Sequence, residues 1–241
     1  MKSTFFNIRK IVAGKSQPVR YLGYAAGEIA LIIVGILLAV QINDWNDERK
    51  YRNECLDNIL KLKLDINEAI ANVQGSIERM EEWNDEIANI ASFLASKTYD
   101  LAEQTAFENA LNNIAALNLP KVDVGLLGSV LDGETELIAY DQDLVEQALE
   151  IESFINSRQS NIQNNVDRIE LIVGNTLSQF VGFGQTGAKI KPLYDTNILK
   201  SSKEFSYSVH SIKSMRARII SFNKGIVEEL EKFGSVVKSY E

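Results

Sequence analysis

Glu28 has the setting in this chain that most invites chemistry. It is the single charge within Tyr21–Val40, twenty residues that are otherwise apolar or small. A carboxylate inside such a run is costly, and it normally faces protein or water. Three roles fit it. It can neutralise or hydrogen-bond a partner span, or act as a protonatable relay. Alternatively, lying one turn inside Tyr24, about 6 Å from an interface, it can reach water or stay protonated. Gly23, Gly27, Gly35 and Ala39 fall on a four-residue ladder that misses only Leu31. Small residues at that spacing let two helix backbones approach closely. Gln41 and Asn43 add hydrogen-bonding groups at the far end of the run.

Other reactive residue types are sparse. Glu78, Glu81, Glu82 and Asp85 recur at helical spacing. Hard cations bind such oxygen clusters, yet a straight helix lacks the loop that wraps them, so the stripe reads as a solvated face. His210, the sole histidine, falls off the apolar line of its helix. One histidine excludes a di-iron site built on paired Glu-x-x-His motifs. Gly182-Phe-Gly184-Gln-Thr-Gly187 spells a dinucleotide loop, but that motif has meaning only between a strand and a helix. Here it follows a helical pattern and reads as a turn. Cys55, the single cysteine, rules out an internal disulfide framework; it either joins two subunits or stays a half-buried thiol. No Ser/His/Asp or Cys/His set assembles for nucleophilic catalysis. The expectation is no enzyme, no metal and no cofactor.

The element that must position Glu28 is the run 21–43. A bilayer span needs ~20 residues to cover ~30 Å of hydrocarbon. Nine Ile, Leu and Val residues between Ile29 and Val40 contribute about −3 to −5 kcal/mol together, against at most about +3 kcal/mol for one carboxylate. Insertion wins. Tyr21 and Tyr24 at one end and Trp45 at the other form interfacial belts, with ~31 Å of helix between Tyr24 and Trp45. The apolar region is too long for a cleaved signal peptide, and Ala39-Val40-Gln41 lacks the small residue needed before a cut. It reads as an uncleaved anchor.

Charge sets the expected sidedness. Residues 1–20 hold five cations (Lys2, Arg9, Lys10, Lys15, Arg20) and no acid. Residues 44–241 hold the other 20 cations and, Glu28 excepted, all 32 remaining acids, a net −12 within a chain of net −8. Cations stay on the cytoplasmic side. The reading is a single-pass protein of the bacterial inner membrane, N-terminus cytoplasmic and 44–241 periplasmic. So acidic a domain repels phosphate backbones, which disfavours nucleic acid as a partner. Phe5, Ile8 and Val12 share a helical face beside Arg9 and Lys10, so 1–20 is a basic head that either carries a short interfacial helix or is a plain basic tail.

Beyond Trp45 no helix breaker intervenes until about Lys97. Ile59, Ile66, Val73, Met80, Ile87 and Leu94 recur every seven residues, accompanied by Leu62, Ala69, Trp83 and Ile90, with Ile70 and Ile77 beside them. Five heptads of this kind predict a bundle or coiled coil. A shorter helix follows near Asp100–Leu117, with Leu101, Phe107, Leu111 and Ile114 inward and Pro120 as its stop. Val122–Leu131 can form two helical turns before a turn at Asp132-Gly133. Asp141 then caps a long helix carrying Ala148, Ile151, Ile155, Ile162, Ile169, Val173 and Phe180 inward to about Phe183. A glycine-rich loop spans 182–187 and Pro192. Ser201 with Glu204 has the form of a capping box, opening a last helix with Phe205, Val209, Ile212, Ile219, Ile226, Leu230, Phe233 and Val237 inward. The expected fold is all-α: one transmembrane helix continuing into an elongated up-down-up-down four-helix bundle with a broken second helix. No strand is predicted.

Tyr24-Ala25-Ala26-Gly27-Glu28-Ile29, then Gly35-Ile36-Leu37-Leu38-Ala39-Val40-Gln41-Ile42-Asn43-Asp44-Trp45-Asn46, resembles the opening of an uncharacterised single-span membrane protein family of Bacteroidota. That resemblance is specific over residues 20–50 and topological beyond them. It implies a basic head, one span and an outward helical domain, and no activity. The functional expectation is a membrane-anchored helical scaffold or adaptor, working through self-association or another membrane protein. The contacts expected in the span are Gly23, Gly27, Glu28, Gly35, Ala39 and Gln41. The other reading is a ligand-sensing bundle that signals to a partner through its span.

Overall fold

The computed structural model describes residues 17–120, 122, 142–186 and 189–239. The helix expected within 1–13, the turns expected over 123–133 and the Asp141 cap lie outside them. Helix α1 spans Gln17–Ala95, with Pro18 in its first turn, where a missing N–H is harmless. Two compact units divide between Glu54 and Cys55. In the first, every residue from Tyr21 to Lys50 is exposed. This part of α1 is long and apolar enough to cross a membrane.

The second unit is built on seams that alternate steps of four and three, the spacing that keeps one helix face inward. In α1 the seam is Cys55, Ile59, Leu62, Ile66, Ala69, Val73, Ser76, Met80, Trp83, Ile87 and Ile90, all buried except the half-buried Trp83. Cys55 and Ser76 complete a line that a purely apolar reading leaves with gaps. Near the end of α1 Phe93 is buried and Leu94 half-buried. Helix α2 (Leu101–Asn113) opens on a capping box: the Glu103 N–H donates to Asp100 Oδ1 at 2.8 Å, and the Asp100 N–H to Glu103 Oε2 at 3.0 Å. It buries Phe107, Ala110 and Leu111, followed by Ile114. Leu101, expected inward, is 80 % exposed because it is the first residue after the cap. Helix α3 (Gln142–Ile172) and helix α6 (Lys203–Lys238) carry the other two long seams. Every inward residue expected in α6 is buried. Each fully buried Ile, Leu or Phe contributes about 1.5–3 kcal/mol.

Contacts between side chains fix the directions of these helices. A Cβ on Gly234 of α6 would meet Ile66 Cγ2 at 3.4 Å, and Lys224 Nζ lies 2.7 Å from Glu81 Oε1, so α6 runs antiparallel to α1. A Cβ on Gly225 would meet Phe154 Cζ at 3.8 Å, and the Arg158 guanidinium lies 5.4 Å from the Phe222 ring centre, so α6 is also antiparallel to α3. Along α1, the Phe107 ring stacks on Phe93 with centres 4.0 Å apart, and Asn113 Nδ2 donates to Glu86 Oε2 at 2.8 Å. Hence α2 runs back along α1.

The segment between α3 and α6 departs from expectation. A π-helical turn, Val173–Leu177, ends α3. Its extra residue rephases the helix, so Leu177 is buried and Thr176 only half-buried. After a short α4 (Ser178–Phe180), the stretch expected as a glycine-rich loop is an antiparallel hairpin. Its strands are β1 (Val181–Thr186) and β2 (Lys189–Tyr194), with Val181 opposite Tyr194 and Thr186 opposite Lys189. Gly182, Gly184 and Pro192 erase the usual strand pattern, and tertiary contact supplies what propensity lacks. Helix α5 (Thr196–Ser201) is capped by Asp195. The cap of α6 is Ser202, whose Oγ accepts from the Phe205 N–H at 3.0 Å, rather than Ser201 one residue earlier.

Tyr194 ties the hairpin to α2. Its ring meets Phe107 edge-on at 5.1 Å, and its hydroxyl donates to Glu108 Oε1 at 3.2 Å. Burial, with help from the nearby Glu108 carboxylate and against a Gln104 hydrogen bond, pushes the phenol up to about 12. The fold therefore holds the neutral form. This contribution to stability is complete below pH 10 and is lost as pH rises towards 12. Alkaline ultraviolet titration of the wild type minus Tyr194→Phe is expected to show one phenol ionising near pH 12; an ordinary midpoint near 10 would refute the anchoring.

Candidate functional site: the exposed face of the apolar helix

Because α1 is helical throughout, sequence position sets angular position at about 100° per residue. On that basis Gly23, Gly27 and Gln41 share an arc of about 40°, and Glu28, Gly35 and Ala39 share another, centred about 120° away. The four-residue ladder thus winds around the helix and does not make one face. What the structure brings together is Glu28 with Gly35 and Ala39. Gly23, Gly27 and Gln41 lie on a different stripe.

The Glu28 stripe belongs to a longer line. Tyr21, Ala25, Glu28, Ile32, Gly35, Ala39, Ile42 and Asn46 alternate steps of four and three, the repeat a left-handed helix pair follows. Ala25, a further small residue on this line, was missed by counting fours; counting sevens finds it. All eight are exposed, and a Cβ on Gly27 or Gly35 would meet nothing within 4 Å. Asn43, expected to bond across helices, donates instead to Asp47 Oδ2 at 2.9 Å on its own helix. Cys55 is 2 % exposed within the α1 seam, so the thiol expected to be half-buried is a core residue.

The remaining candidates stay apart from this stripe. His210 is exposed, and the Glu78–Asp85 stripe faces outward, with Glu81 paired to Lys224. No cluster of three or more metal-ligating side chains occurs among the described residues. Gly182–Gly184 lie in β1, which leads into β2 rather than into a helix, so no phosphate loop exists there.

A second set of polar residues went unnoticed in the sequence: Arg158 and Asn165 in α3, and Arg216 and Asn223 in α6. They occupy the gaps of otherwise apolar seams, between Ile155 and Ile169 and between Ile212 and Ile226. The antiparallel register set at Phe154/Gly225 and Arg158/Phe222 brings Arg158 level with Asn223, and Asn165 level with Arg216. Each level therefore holds one guanidinium and one amide. Arg216 is fully buried. Its Nη2 donates to the carbonyls of Asn113, Ile114 and Ala116 at 3.0, 2.6 and 3.1 Å, where the negative end of α2 meets a cation. Burial lowers the guanidinium to about 10, opposed by Glu86, so it stays charged at neutral pH. Arg216 Nε and Nη1, both amide atoms of Asn223, and Oδ1 of Asn165 and Asn84 are buried with no hydrogen-bond partner among the described residues.

With both the exposed stripe and the buried polar levels defined, comparison against protein-family models, curated proteins and solved structures finds no match for this chain.

Proposed function

We propose that this protein is a membrane-anchored helical scaffold or adaptor that works by protein–protein contact and self-association through its span. The observation that carries this reading is the co-facial placement of Glu28, Gly35 and Ala39 on a fully exposed apolar helix. In lipid, small residues allow close approach, and a carboxylate gains from a protein partner what hydrocarbon denies it. The basic head and acidic remainder favour an N-terminus in the cytoplasm and residues 44–241 in the periplasm of a bacterial cell. The antiparallel contacts of α1, α2, α3 and α6 support an elongated up-down-up-down four-helix bundle with a broken second helix as the architecture of this scaffold. Membership of the Bacteroidota single-span family is part of the same proposal and rests on residues 20–50. A second reading, ligand sensing with output through the span, draws support from the unpartnered polar atoms inside the helical unit.

Cross-linking in intact membranes tests the first reading. Wild type is expected to yield a discrete cross-linked species. Gly35→Ile reduces its yield roughly five- to thirtyfold, for a loss of about 1–2 kcal/mol of helix association. Glu28→Gln changes the partner set, and Gly23→Ile, on the other stripe, has little effect. Equal behaviour of Gly35→Ile and Gly23→Ile, or no cross-linked species at all, sinks the proposal.

A further inference from the structure

The stretch after α2 is fastened by side chains from all three long helices. From α1, Ser76 Oγ donates to the Asn118 carbonyl, and Glu86 accepts from Asn113. From α3, Gln159 Nε2 donates to the Val122 carbonyl at 3.1 Å. From α6, Arg216 Nη2 holds the carbonyls of Asn113, Ile114 and Ala116. Backbone bonding is thin by comparison. Ile114 N–H reaches Leu111 O at 3.4 Å, and Ala116 N–H reaches Asn113 O at 3.1 Å. Asn113–Pro120, with Val122, is thus a strap, pinned by buried Ile114 and Val122 and by half-buried Leu117.

Where Arg216 holds the strap, the core level is polar. Arg216 and Asn165 share it, and Asn84 of α1 lies close in register by the Ile66/Gly234 and Glu81/Lys224 contacts. Four of their buried atoms, Arg216 Nε and Nη1 and the two Oδ1 atoms, lack partners among the described residues. These atoms suit water better than an oxyanion. Both two-donor edges of a guanidinium use Nη2, and Nη2 is already committed to the strap carbonyls. Single donors and amide acceptors remain, which water can bridge. An apolar level would oppose opening of the strap; this one gains hydrogen bonds when water enters.

The geometry points to a latch: the strap Asn113–Pro120 opens while α1, α3 and α6 stay packed, admitting water to the Arg216–Asn165 level, with Arg216 as the catch. This device is independent of the anchor and of what the span contacts.

Hydrogen exchange read by mass spectrometry on the full chain in detergent micelles tests it. In wild type the amides of Ile114 and Ala116 are expected to exchange at least about tenfold faster than the α6 seam, as a local opening does. Ser76→Ala and Arg216→Met both speed the strap further and leave α3 and α6 unchanged. Asn165→Leu slows it, because water then gains less. If Arg216→Met does not fold, Ser76→Ala and Asn165→Leu decide. Strap exchange in step with α6 in wild type overturns the latch. So does acceleration by Ser76→Ala spread evenly over the long helices, or faster strap exchange in Asn165→Leu.

Discussion

Asn223→Leu is expected to stabilise the helical unit by about 1–3 kcal/mol, the penalty that a buried polar group without a partner imposes. Asn223 is 0 % exposed, and neither its Nδ2 nor its Oδ1 has a partner among the described residues. Leucine has nearly the same shape, and it would continue the Ile219–Ile226 seam without a polar break. The gain is measured as a higher urea midpoint for the full chain in micelles, with the slope unchanged. A loss of more than about 1 kcal/mol would mean that bridging water satisfies the amide better than the contacts of leucine compensate. The cost of the substitution falls on specificity. A polar residue in an apolar seam fixes register at some expense in stability, and Asn223→Leu removes one of two such markers on α6.

Asn165→Arg should have the opposite sign and a larger size, a loss of about 3–5 kcal/mol, because it sets a second guanidinium at the level of buried Arg216 without a counter-charge. Bulk alone does not explain such a loss: Asn165→Met, unbranched and uncharged though shorter than arginine, should cost about 1–3 kcal/mol through overpacking. Exchanging the pair, Asn165→Arg with Arg216→Asn, should recover much of the difference, though the strap carbonyls of Asn113, Ile114 and Ala116 then lose their donor. If Asn165→Arg is no worse than Asn165→Met, the two levels are not matched as the register implies. The same logic explains why α3 and α6 do not slip. A one-heptad shift in one direction sets Arg216 opposite Arg158; the other sets Arg158 opposite Leu230 and Arg216 opposite Ile172. The native register alone places an amide opposite each guanidinium.

Much of this is legible in the residues alone, and for a physical reason. A seven-residue apolar repeat admits one secondary structure, and hydrophobic burial is local enough to the helix face that Ile59, Ile66, Val73 and Ile87, or Ile212, Ile219 and Ile226, could be named as core in advance. The length and hydropathy of 21–43, enough to cross a membrane, likewise need no tertiary context, because both belong to the run itself.

Local signals misled where three-dimensional contact overrides propensity. The hairpin at Val181–Tyr194 carries glycines and a proline, and it is held by Tyr194 against Phe107 and Glu108 rather than by strand-forming residues. Helix α2 ends at Asn113, well before Pro120 requires it, with Arg216, a hundred residues away in the chain, donating to the carbonyls of Asn113 and Ile114 at its end. Arg158, Asn165, Arg216 and Asn223 looked like flaws in apolar seams, since a polar residue reveals its role only through what lies opposite. In the apolar run, the four-residue count grouped residues that a helix turns apart. The helices, the long apolar run and most of the core follow from side-chain period and hydropathy, which are properties of the chain alone. The register, the strap and the partners of the buried arginine come from packing, because each depends on which distant residue stands at the same level of a neighbouring helix.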